Sequence, residues 1–75
     1  MYSELDGGRN IEDNLNNLKS LLLEHFSITV AAADPHIPDL LMITKLLSEN
    51  SFCHYDVYTQ KHSIVVELSS LIKKE

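Results

Sequence analysis

The sequence predicts an α+β domain: a two-layer α/β sandwich of element order βαβαββ, in which a mixed four-stranded sheet carries two helices on one face. Three observations predict it. Apolar residues recur at helical spacing through Ile11, Leu15, Leu18, Leu22 and Phe26, widened by Leu21. The period then drops to two in SITVAAADPHIPD, residues 27–39, where Ile28, Val30 and Ala32 alternate before Asp34-Pro35 halts the run. After a second apolar helical segment, the alternation returns from Phe52 to Leu68. A parallel strand-helix-strand unit crosses over right-handedly. The first two strands are therefore neighbours beneath helix one, and the other sheet face is open to water.

Met1 to Asp6 reads as a short edge strand closed by Asp6-Gly7-Gly8, whose glycines accept positive φ at little cost. Asn10 is the expected N-cap of helix one, with Glu12 and Asp13 complementing the positive end of its dipole. Asn14, Asn17, Ser20 and Glu24 are assigned to its polar face. Because proline disfavours helical geometry in the residue before it, Asp34 and Ile37 are expected to be non-helical, and helix two to begin near Pro38. Leu40, Leu41, Met42, Ile43, Thr44, Leu46 and Leu47 give that helix a broad apolar surface, with Lys45, Ser48 and Glu49 outside and Asn50-Ser51 as its end.

From Phe52 to Gln60, Cys53, Tyr55 and Val57 fall on one face of a strand and His54, Asp56 and Tyr58 on the other. Lys61-His62 is the expected hairpin turn. Ile64, Val66 and Leu68 then point inward, Val65 and Glu67 outward. The tail from Ser69 to Glu75 reads equally as a terminal helix or as more strand.

A chain of 75 residues is one domain, 1–75, and so small a fold buries only roughly 60% of the surface of its unfolded chain, which leaves no room for a large enclosed active site. The net charge of −5 repels nucleic-acid phosphate and anionic lipid, so neither nucleic acid nor membrane is an expected partner. The imbalance sits early: Glu4, Asp6, Glu12, Asp13, Glu24 and Asp34 face only Arg9 and Lys19 in residues 1–34. A lone cysteine, Cys53, makes no internal disulfide. With no leader before the first helix and no membrane-length apolar run, the expectation is a soluble cytoplasmic protein.

Over nearly its whole length the chain resembles the TusA/SirA-like family of small sulfur carriers. The matching features are Leu5-Asp6 with Gly8 after strand one, the strand running into Ala33-Asp34-Pro35, Asp39 at the start of helix two, and the closing hairpin. The resemblance implies the same fold and a persulfide-bearing Cys-Pro-x-Pro motif opening helix one. Asn10-Ile11-Glu12-Asp13 stands there instead, with carboxylates that oppose thiolate formation, and the usual Pro-Gly link before strand two is absent. The chain is identified as a degenerate member whose carrier cysteine is missing.

The remaining candidate chemistry is sparse. Cys53, among apolar neighbours, reads as a buried structural thiol, with sulfur or thiol transfer through it as the alternative. His25, His36, His54 and His62 lack the convergent spacing of a metal site, so no metal and no cofactor is expected. Asp34 and Asp39 are expected to cap rather than to act as an acid-base pair. No phosphate-binding glycine pattern or serine triad is present, and Pro38-Asp39-Leu40-Leu41 lacks the serine of an acyl carrier. The resulting expectation is a non-catalytic protein-interaction module. It docks through its acidic N-terminal half, including Glu12 and Asp13, or through the open sheet face, with Phe52, Tyr58 and Val65 at the apolar centre and Lys61 and Glu67 at the rim. Homodimerisation through a sheet edge is a further possibility.

Overall fold

The computed structural model describes residues 1–71. Its elements are β1 (Tyr2–Glu4), α1 (Ile11–His25), β2 (Ser27–Ala33), a 3-10 turn (Asp34–His36), α2 (Ile37–Glu49), β3 (Cys53–Thr59) and β4 (Ser63–Ser70). The four strands form one mixed sheet in the order β1-β2-β4-β3, with β1 parallel to β2 and β4 antiparallel to both its neighbours. The α+β sandwich expected from the sequence is the fold.

The core lies between the sheet and the helices. Ile28, Val30 and Ala32 of β2 and Ile64, Val66 and Leu68 of β4 meet Leu18 and Leu22 of α1 and Leu40, Ile43 and Leu47 of α2, with Cys53 closing one end. Each of these residues is at most 5% exposed. At about 25 cal/mol per Å2 of apolar surface removed from water, this layer is the main source of stability.

Local chemistry accounts for the boundaries. The Asn10 side chain accepts the Asp13 amide at 2.8 Å, capping α1 as its residue type predicts. Phe26 ends α1 with φ 64° and hands its carbonyl to the Ser70 amide at 2.7 Å, so β2 begins with no intervening loop. Phe26 therefore leaves the apolar stripe predicted for it and stands 56% exposed.

Asn14 is corrected in the opposite direction. Assigned to the polar face, it is buried, and its amide nitrogen donates to the Asp6 carbonyl at 2.9 Å, tying α1 to the loop after β1. That loop also needs no positive φ at Gly7 or Gly8. Its constraint is space: the His36 ring rests where a Cβ on Gly7 would stand, while the Asp6 carboxylate accepts the Gly8 amide at 2.8 Å.

The entry to α2 departs from the proline rule. Asp34 lies in the 3-10 turn and Ile37 is helical, with φ −56° and ψ −47°. Pro38 sits in the first turn, where a missing amide hydrogen loses no bond, and the Ile37 amide donates to the Asp34 carbonyl. Neither Asp34 nor Asp39 caps, because the N-cap position of α2 is His36. The Asp34 carboxylate instead faces His62 Nδ1 at 3.1 Å, and the Asp34 amide donates to the His62 carbonyl at 2.9 Å, joining the hairpin tip to the end of β2.

The exit from α2 is a Schellman motif. Ser51 adopts φ 55°, its amide donates to the Ser48 carbonyl, and the Phe52 amide donates to Leu47. Ser69 and Ser70 extend β4, which decides the first part of the tail in favour of strand. Residues 72–75 lie outside the described residues. Among the described residues, no helix is long and apolar enough to cross a membrane.

Candidate functional site

The open face of the sheet is the surface that its side-chain alternation leaves uncovered. Register builds it row by row. Glu4 lies beside Ala31, Ala31 opposite Val65, and Val65 opposite Tyr58, crossing all four strands. The next row runs Tyr2, Thr29, Glu67, Asp56. Small residues in the middle of β2 and larger ones on either side make a trough of about 430 Å3, lined by Tyr2, Glu4, Ala31, Ala33 and Val65, with His36 at its end.

Electrostatically the face is one-sided. Glu4, Asp56 and Glu67 project from it, and no lysine or arginine lies on its described strands. Glu67 and Asp56 are directly opposed across β4 and β3, a like-charge pair that costs stability. The Tyr58 hydroxyl donates to Glu67 Oε2 at 3.4 Å. The charges of Glu67 and then Asp56 push the Tyr58 phenol above its ordinary range, because ionising it would add a third negative charge.

No protein-family model matches the chain, and a comparison with curated proteins finds no match.

The structure brings together only part of the set of site residues read from the sequence. Tyr58 and Val65 are direct cross-strand neighbours on the open face. Phe52 is not with them. As the residue after the Schellman turn it packs back on the core, half-buried, with Lys19 Nζ 5.9 Å from its ring centroid. Glu12 and Asp13 are exposed in the first turn of α1, in the helical layer, where they complement the dipole. Lys61 occupies the hairpin tip between β3 and β4.

Cys53 points inward at 2% exposure, and burial pushes its thiol pKa up, so it is a poor nucleophile near neutral pH. Tyr55 and Val57 share its side of β3 yet stand 47% and 38% exposed, because the helical layer ends short of this edge. The histidines occupy separate places: His62 on Asp34, His25 beside Glu24, His36 against Gly7 and His54 on the open face. Among the described residues, no group of three or more His, Cys, Asp or Glu gathers to hold a metal ion.

Tyr2 and Glu4 are among the residues of the face that the site read in the sequence did not include. Their signal was present in the alternation of β1, but it has meaning only once the parallel register with Thr29 and Ala31 is known.

Proposed function

We propose that this domain is a non-catalytic protein-interaction module whose open sheet face receives a basic partner segment. The observation that carries the reading is the projection of Glu4, Asp56 and Glu67 from one face with no lysine or arginine on its described strands, His54 being the one imidazole there. Ion pairs at exposed positions contribute about 0.2–1 kcal/mol each, so three carboxylates supply orientation and encounter rate more than affinity. Tyr2, Ala31, Val65 and Tyr58 offer the apolar contact that supplies the rest. Glu12 and Asp13 are the weaker docking candidate, since the amide ends of α1 already offset their charge.

The resemblance carried by Leu5-Asp6, Ala33-Asp34-Pro35 and Asp39 supports placing the domain among TusA/SirA-like modules in a cytoplasmic regulatory or sulfur-relay setting. In such a module without its carrier cysteine, docking remains as the activity. Sulfur transfer through Cys53 is disfavoured by its burial and raised pKa.

An amide NMR titration with a peptide of alternating lysine and leucine tests the reading, with a glutamate-leucine peptide as control. The expected shifts map to Glu4, Ala31, Val65 and Glu67, and the triple variant Glu4→Gln, Asp56→Asn, Glu67→Gln weakens binding about tenfold or more. Shifts gathered at Glu12 and Asp13, or equal binding of the control peptide, overturn it.

A further inference from the structure

The two edges of the sheet are unequal. β1 closes one side with three residues, whereas β3 runs for seven on the other, and every β3 residue after Cys53 is exposed. Edges that stay unpaired are usually short or interrupted by lysine, proline or a bulge. β3, with the sequence CHYDVYT, has none of these and pairs residue for residue with β4 along its whole length.

Hydrogen bonding fixes which backbone groups this edge presents. The Gln60 amide donates to the Ser63 carbonyl and the Leu71 amide to the Phe52 carbonyl, so the even-numbered residues of this segment bond to β4. The amides and carbonyls of Cys53, Tyr55, Val57 and Thr59 consequently point away from the sheet. An antiparallel partner strand has to meet these four.

A second copy of β3 meets them in three central registers. Centring on Asp56 sets that carboxylate against its own copy, which is repulsive. Centring on Val57 pairs Asp56 with Tyr58, both already crowded by Glu67. Centring on Tyr55 sets His54 against Asp56 of the other copy, twice, with Tyr55 beside Tyr55 and Cys53 opposite Val57. Around His54, the groups on its own sheet are Ser69 directly across, Asp56 two residues along and Glu67 diagonally, so among the described residues of the sheet the charges beside it are negative. The same pairing covers Tyr55 and Val57, the two large side chains that the helices leave bare.

We infer that the chain self-associates through antiparallel β3-β3 pairing centred on Tyr55, joining two sheets into one continuous sheet. Asp56 belongs to both readings, but this one stands without a partner segment, because its contacts are the edge backbone, the His54-Asp56 pairs and the Tyr55 and Val57 side chains. The copies share a net negative charge, but at physiological ionic strength the screening length is about 8 Å and the repulsion is short-ranged.

Light scattering and sedimentation of the whole chain from about 1 μM to about 1 mM test the inference. The wild type is expected to pass from monomer to dimer across this range. Val57→Lys is expected to remain monomeric with unchanged circular dichroism, since the Val57 side chain is 38% exposed in the monomer and a lysine on the edge opposes pairing with a second copy. Asp56→Asn weakens dimerisation about three- to tenfold, and the exchange His54→Asp with Asp56→His restores it. A monomer throughout, a dimer indifferent to Val57→Lys, or one strengthened by Asp56→Asn overturns the assignment.

Discussion

Along β4 the same backbone presents Ile64, Val66 and Leu68 to one side and Ser63, Val65 and Glu67 to the other, and the two sides answer to different physics. The first triplet is at most 4% exposed and locked among helix residues. The second faces small residues, two tyrosines and like-charged carboxylates. Stability resides on the covered side, while the open side tolerates an unfavourable Glu67-Asp56 juxtaposition. A surface that spends stability on concentrated charge is the better place to look for binding.

The comparison breaks most sharply on truncation. Leu68→Ala is expected to lose about 2–5 kcal/mol, read as a lowered urea midpoint with unchanged slope. Val65→Ala, three residues earlier on the opposite face, stays within about 0.5 kcal/mol. Equal costs at the two positions would mean that the open face is covered in solution.

Cys53 sharpens the boundary between covered and bare along β3. Alkylation of the native protein is expected to be slow near neutral pH and to become rapid only on unfolding. Burial raises the folded pKa of this acid, so the neutral thiol's contribution is complete below the unfolded value of about 8.5 and is lost as pH climbs toward the folded one. Denaturation between about pH 8 and pH 10 should therefore show a steeper fall for wild type than for Cys53→Ala.

The smallest effect concerns the charge pair itself. Glu67→Gln is expected to raise stability by about 0.2–1 kcal/mol, because Asp56 loses a like-charged neighbour. In the same variant the Tyr58 phenol should titrate at lower pH, its largest upward influence having been removed, as read by absorbance during alkaline titration.

Where the sequence reading succeeded, one periodicity dominated. Ile28-Val30-Ala32 and Ile64-Val66-Leu68 alternate because one side is dry, and no other demand competes. It failed where a residue served its neighbours in the chain rather than a face. Asn14 is polar and counted as outward, yet the Asp6 carbonyl gives its amide a reason to be buried. Phe26 fits a helical stripe, but the chain needs a reversal there, and the cap position takes it out of register. Phe52 fits an alternating strand, but the left-handed Ser51 that closes α2 one residue earlier turns it back into the core. The acidic face was legible only in fragments, because Glu4 and Asp56 are 52 positions apart in the chain and come onto one face, in adjacent rows, only through pairing across β2 and β4.

The position of β4 has a consequence for biosynthesis. β4 follows β3 in the chain yet lies between β2 and β3 in the sheet. While a ribosome is still making it, β2 can join only the three residues of β1, and β3 has no strand to join at all. The nascent domain must carry its apolar strands unpaired until translation has passed Ser70, so folding is late and collective, and a stalled or clipped chain is left with adhesive segments that chaperones must hold.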